Sequence, residues 1–409
     1  MTDAPLRKRV NEAPVVRSNA TVPQINATPY HWREPSTIPM RPWVYGYWFL
    51  RGTVSCVIAP GGAGKSTLVA GMALSLVTGE LLLGKQVRGG PKNVWLWNLE
   101  DDADELARSI QAACQHHGIE QAAIDGRLFV DSGLEGATLC TAVEDKDGFK
   151  LLEPIYEGLT GELKRRQIDV LFVDPFVSSH QVEENANSKI DPVVKAWARV
   201  AKLASCCIVL VHHTSKAGAS DVSALSARGA VALINAARAA LVINRMTTDD
   251  AVTFGIPDHE RHQYINVSDD KHNRTPAEKA DWFKLVSSHL HNGGFWEGDG
   301  DSVGVAVPWS PPKAFDGVTT RHLVEVQARI SSGTWWRDQQ SKENWAGEIV
   351  AAVLSLDSTN PTHKKRIERI LKEWIDNKAL KVVSEHDTKH KRDRPRVICG
   401  EPASVVSTT

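Results

Sequence analysis

Gly61, Gly62 and Gly64 punctuate a turn that runs into Lys65, Ser66 and Thr67, a combination suited to holding phosphate. Consecutive backbone N–H groups in a glycine-rich turn, with a helix N-terminus behind them, form a concave donor surface for phosphate oxygens. Lys65 adds a point charge, and the Ser66 hydroxyl is a hard oxygen ligand for Mg²⁺. Pro60, Gly61, Gly62, Ala63, Gly64, Lys65, Ser66 and Thr67 are therefore the expected nucleotide-binding residues, with ATP and Mg²⁺ as cofactors. Ala59 stands where the first glycine of the pattern is usual, a change of one methyl group. Such a loop works only between a strand and a helix. Val54-Ser55-Cys56-Val57-Ile58 before it is a buried-strand run, and Leu68, Val69, Met72, Ala73 and Leu76 after it recur with helical spacing.

Three further strand ends carry polar chemistry. The run Asn93 to Leu99 stops at Glu100-Asp101-Asp102; Glu100 is a candidate general base or water-orienting residue, and helix N-terminal charge favoured by the macrodipole explains the same acids equally well. Val170-Leu171-Phe172-Val173 stops at Asp174, four apolar residues and a carboxylate suited, with Ser66, to holding the Mg²⁺ shell. Cys206 to Val211 stops at His212-His213-Thr214. Adjacent residues on a strand face opposite ways, so these histidines do not suit a shared metal ion, and His213 is read either as a γ-phosphate sensor or as a hydrogen-bonded strand cap.

The 409 residues allow two or three domains, and 42% apolar against 24% charged content places the chain among soluble globular proteins. With a net charge of −1, any nucleic-acid surface has to be local. The six cysteines include no Cys-x-x-Cys pair, no run is long enough to span a membrane, and no leader pattern opens the chain, so the expectation is a cytoplasmic protein. Residues 1–34 read as a mobile tail, 35–292 as an α/β domain, 293–317 as a Pro/Gly-rich linker, 318–400 as a small α+β domain and 401–409 as a second tail. The aromatic stretch Tyr30 to Leu50 suits packing or stacking on an adenine. Tyr264 to Val267 and Trp282 to Val286 suit a terminal extension of the sheet. In the last domain, helices over Thr319 to Ile330, Trp345 to Leu356 and Thr362 to Asn377 precede a hairpin, which is the winged-helix order.

The loop with its Lys65-Ser66, then Asn98-Leu99-Glu100-Asp101-Asp102, Asp174, Val211-His212-His213-Thr214-Ser215-Lys216 and the Arg228-Gly229 helix together resemble the RecA-like ATPases of the RepA type. That group contains plasmid hexameric replicative helicases, and the resemblance covers about residues 35 to 290. It implies a mostly parallel RecA-like sheet with helices on both faces and an active site between subunits of a homo-hexameric ring. It further implies that Lys65 and Ser66 bind nucleotide and Mg²⁺, Glu100 activates water, Asp174 supports the metal, and His213 or His212 reads the nucleotide state. A neighbouring subunit would supply a cation, for which Arg228, Arg238, Lys271 and Arg274 are candidates. The polar loops that line the DNA channel in such rings carry only Lys189 and Lys216 here and no aromatic ring, whereas single-strand channels combine charge with stacking platforms.

The expected function is Mg²⁺-dependent ATP hydrolysis coupled to a DNA transaction, helicase-like work for a plasmid, phage or mobile element. The alternative is a nucleotide-switched DNA-binding regulator that does not unwind. Between Thr362 and Arg396 stand twelve Lys or Arg against six Asp or Glu. Lys364, Lys365, Arg366, Arg369 and Lys372 on the helix, with Lys389, Lys391, Arg392 and Arg394 on the hairpin, are the candidate contacts to single- or double-stranded DNA. A face that docks on protein is the competing reading of the same charge.

Overall fold

The structure, a computed structural model, describes residues 26–146, 148–214, 231–269, 280–294, 298–338 and 344–403. The chain divides into two compact units, Met1–Arg41 and Pro42–Thr409. In the first, the described residues form one short 3-10 turn, Pro35–Thr37, and expose Tyr30, Trp32, Ile38 and Met40. Most of the expected tail, 1–34, lies outside the described residues.

The second unit opens with a hairpin, β1 (Trp43–Tyr45) and β2 (Phe49–Leu50), whose Tyr45, Trp48 and Phe49 are buried, so these rings serve as packing. There follow β3 (Thr53–Pro60), α1 (Lys65–Thr78), β4 (Val94–Asn98), α2 (Ala103–His117), α3 (Gln121–Ile124), β5 (Leu128–Ser132), a small hairpin β6 (Ala142–Asp145) and β7 (Gly148–Leu151), α4 (Glu153–Arg165) and β8 (Val170–Asp174). Then come α5 (Asn187–Ala204), β9 (Cys207–Thr214), α6 (Val231–Ala236), β10 (Ala239–Arg245), α7 (Thr248–Phe254), β11 (Tyr264–Asp269), β12 (Asp281–His289) and β13 (Ser302–Trp309).

These make a nine-stranded sheet in the order β13-β12-β11-β10-β3-β9-β8-β4-β5. From β10 to β5 every pairing is parallel, and β11 to β13 extend the sheet antiparallel. Strands β3, β8 and β9 are buried on both faces, which is why they read as apolar runs. Alternation sends Val57 and Ala59 of β3 into the core under α1 and α2, and Val54, Cys56 and Ile58 into the core under α4, α5 and α6. Cys206 and Cys207 are core residues whose thiols burial pushes up to about 12, so they are inert packing. The architecture is the RecA-like α/β sheet expected from sequence. Among the described residues no helix is long and apolar enough to cross a membrane.

The expected linker 293–317 is corrected over Ser302–Trp309. Val303, Val305 and Val307 alternate with Gly304, Ala306 and Pro308, and this period-two segment pairs residue for residue with β12 as the outer strand of the sheet. Dense proline and glycine concealed it, and an edge is where a strand tolerates Pro308. The β12–β13 hairpin closes over the first two helices: Gln115 donates to the His289 carbonyl at 3.0 Å, and Arg108 Nε lies 3.2 Å from Asp301 Oδ2.

Beyond it stand α8 (Thr320–Ser331), β14 (Trp335–Trp336), α9 (Ala346–Leu354), α10 (Pro361–Asp376), β15 (Leu380–Asp387) and β16 (Arg392–Cys399), with sheet order β14-β16-β15. The three helices precede the β15–β16 hairpin as expected, with Ile367, Ile370, Leu371 and Trp374 of α10 buried in a core of its own. Between β15 and β16 only residues 388–391 remain as the hairpin tip. This region does not hang free. Lys365 Nζ of α10 lies 3.1 Å from Asp249 Oδ1 of α7, and the whole of Pro42–Thr409 is one compact unit.

Candidate active site

The chemistry gathers where the parallel strands end. The register sets Pro60 beside Thr214 and Asn98 beside Asp174, so the ends of β3, β9, β8 and β4 form one ledge with α1 starting above it. In open α/β sheets ligands bind at this edge. The turn after β3 needs glycine at two places. Gly62 and Gly64 have φ of 70° and 82°, and a Cβ on Gly64 would sit 2.8 Å from Leu285 Cδ1 of β12.

Lys65, 5% exposed, turns inward. Its Nζ donates to Asp174 Oδ1 at 2.5 Å and to His213 Nε2 at 2.7 Å. To accept from an ammonium, Nε2 must offer its lone pair, which places the His213 ring proton on Nδ1. Glu100 Oε2 stands 3.5 Å from the same Nε2, and among the described residues its carboxylate accepts no hydrogen bond. Glu100 is half-exposed at the rim of the ledge, where a water can meet it. Lys65, Asp174, His213 and Glu100 are thus brought together as the sequence pattern anticipates.

The competing account of the acids after β4 applies to other residues. Asp102 is the cap of α2, its carboxylate accepting from the Glu105 N–H at 2.8 Å, while Glu100 precedes the helix. Asn98, which sequence reasoning passed over, shapes this corner. Its Oδ1 accepts from the N–H groups of Glu100 and Asp101 at 2.8 and 2.7 Å, and its Nδ2 donates to Asp101 Oδ2. The Leu99 N–H donates to the Asp174 carbonyl at 2.7 Å and ties the two strand ends together. Ser66 and Asp174 line the same narrow cleft between α1 and α2, about 40 Å³ in volume. A hydroxyl and a carboxylate are oxygen donors of the kind Mg²⁺ takes.

The two histidines do face opposite ways. His212 is buried on the α5 side, its pKa lowered to about 4 first by burial and then by His213, Lys65 and His180. Its Nε2 is 3.2 Å from Glu184 Oε1 but not aligned for a hydrogen bond. Burial also raises the Glu184 carboxyl. His212 therefore stays neutral beneath the site, and His213 alone reaches Lys65.

Of the basic candidates, Arg228, Lys271 and Arg274 lie outside the described residues. Arg238 is exposed at the entry to β10, its N–H on the Val54 carbonyl at 2.8 Å, at the opposite edge of the sheet from Lys65 of its own chain. Arg245, at the exit of β10, lies instead at the phosphate loop, where Nη2 donates to the Gly62 carbonyl. Its one sequence signal was a polar residue closing an apolar strand, the feature shared with Asp174.

The candidate DNA contacts separate. Arg369, Lys372, Lys391 and Arg392 are exposed, and Lys364 is half-buried. Lys365 and Arg366 are not freely available as expected. Lys365 pairs with Asp249, and Arg366 donates to the carbonyls of Ala314, at 2.9 Å, and Asp316, because this end of α10 packs against the body. Arg394 is also engaged, bonded to Asp387 at 2.6 Å and lying over the Trp336 ring. Near the expected channel loops, Lys189 pairs with Glu144, and Lys216 lies outside the described residues.

The sheet order, with β9 between the phosphate-loop strand and the Asp174 strand, and the convergence of Lys65, Asp174 and Glu100 define a P-loop nucleotide site on a RecA-like fold. In agreement, residues 20–219 match the family model of an AAA domain. The match covers a little under half of the chain and supports a nucleotide-dependent P-loop ATPase.

Proposed function

We propose that this chain is an Mg²⁺-dependent RecA-like ATPase of the RepA type, assembling as a homo-hexamer and coupling ATP hydrolysis to helicase-like work on DNA for a plasmid, phage or other mobile element. The observation that carries the reading is the Lys65 ammonium held between Asp174 and His213, with the Glu100 carboxylate 3.5 Å from the same imidazole nitrogen. The loop N–H groups and Lys65 bind the β- and γ-phosphates. Glu100 orients a water and takes its proton as the γ-phosphate is attacked. His213, beside both Lys65 and Glu100, senses whether a γ-phosphate is present. Ser66 and Asp174 would hold Mg²⁺, which supplies charge neutralisation at the phosphate oxygens. Arg238 of a neighbouring subunit is the described candidate for the trans cation.

The experiment is ATP turnover with and without single-stranded DNA, paired with a mass measurement in ATP and a strand-separation assay. Stimulated turnover by a hexamer that separates strands supports the reading. Slow, unstimulated turnover with tight binding to one duplex sequence would replace it with a nucleotide-switched regulator.

A further inference from the structure

We propose that Arg245 is a nucleotide-binding residue, acting in cis on the polyphosphate held by its own chain's loop; this rests on the ATPase reading above. Register is the first ground. β10 runs parallel to β3 with Ala239 opposite Ser55 and Val242 opposite Ile58, so continuing the same offset carries Arg245 level with Gly61. The strand is held on its other side by β11, where Arg245 pairs with Ile265, so the residue is presented from a rigid element. The guanidinium then lies on the loop itself, bonded to the Gly62 carbonyl and 3.3 Å from where a Gly62 Cβ would stand.

Charge is the second ground. Among the described residues Arg245 faces no carboxylate, unlike Lys65, Lys189 and Lys365, and the Gly62 carbonyl occupies only part of its donor set. An exposed guanidinium fixed beside a phosphate cradle has the planar, forked donors that suit a phosphate better than a lysine does. The competing account is a brace, in which Arg245 only stiffens the turn through Gly62. The two accounts differ in whether the charge matters.

Arg245→Ala, Arg245→Gln and Arg245→Lys are made in the full chain and titrated with fluorescent ATP and ADP analogues, with melting curves run alongside. If the guanidinium meets phosphate, Arg245→Ala weakens binding by about tenfold or more, the scale of a charge-assisted hydrogen bond, at an unchanged melting temperature. Arg245→Gln, which keeps an N–H donor for Gly62, binds as poorly as Arg245→Ala, and Arg245→Lys recovers part of the affinity. Wild-type affinity in Arg245→Gln assigns the brace and overturns the proposal, as does unchanged affinity in Arg245→Ala. Recovery of turnover on mixing Arg245→Ala with Glu100→Gln subunits would move the residue to the neighbour's site and also overturn it. Wild-type protein that binds no nucleotide would overturn the ATPase reading and this inference together, whereas wild-type binding with unaffected variants overturns this inference alone.

Discussion

Glu100→Gln separates chemistry from binding because the structure makes the substitution almost silent in every other respect. The side chain is 51% exposed and accepts no hydrogen bond among the described residues, and the backbone corner is set by Asn98 rather than by the Glu100 carboxylate. The amide has the same shape, so no buried partner is orphaned, and the stability change should stay within ~0.5 kcal/mol. Lys65, Asp174 and the loop N–H groups are untouched, so ATP affinity should hold within about threefold, a change below ~1 kcal/mol. What is lost is the acceptor for the attacking water's proton. Removing a positioned general base costs about 100- to 10,000-fold in rate, or about 3–5 kcal/mol in activation free energy. Single-turnover hydrolysis with enzyme in excess, read beside fluorescent nucleotide binding and a melting curve, checks all three quantities on one preparation. Turnover within about tenfold of wild type would refute the assignment, because a base contributes more than that, and would move the water-orienting role to His213.

Lys65→Ala should abolish nucleotide binding by titration, and it should also lower stability by about 3 kcal/mol in denaturant unfolding, since Asp174 is left buried without its cation. Arg238→Ala should lose turnover and regain it when mixed with Glu100→Gln subunits; no loss in the single variant would pass the trans role to Arg228, Lys271 or Arg274. His180 and His212 are both lowered from 6.5 to about 4, chiefly by burial, so between those values the unfolded chain binds protons that the native one does not, and stability should fall as pH drops through that window. Urea unfolding at stepped pH should show a shallower decline for His180→Asn than for wild type, and equal slopes would refute the assignment. Replacing Arg369, Lys372, Lys391 and Arg392 by alanine in the full chain should flatten the log affinity against log salt plot by about 0.9 per lost duplex phosphate contact, while Arg366→Ala should lower the melting temperature and leave that slope alone.

How much of this was legible in the chain depends on how local each feature is. The phosphate loop, Asp174 and Glu100 were readable because each lies at the boundary of an apolar run, and the run, its length and the residue that ends it are contiguous. The helical stripe of α10 was readable for the same reason, since Ile367, Ile370, Leu371 and Trp374 share one face by spacing alone. Three decisions belong to the tertiary structure. Ser302–Trp309 became a strand only through pairing with β12, which outweighed the proline and glycine around it. Lys365 and Arg366 looked like their neighbours until packing against α7 and the segment before α8 gave them partners. Arg245 is 183 residues from Gly62 along the chain, and only the parallel register of β10 on β3 brings them into contact. Local pattern determines which face of an element is apolar and which residue closes it, because both follow from backbone geometry over a few residues. Which charges are neutralised, and which reach the site, is decided by packing between distant segments, and no short-range period encodes it.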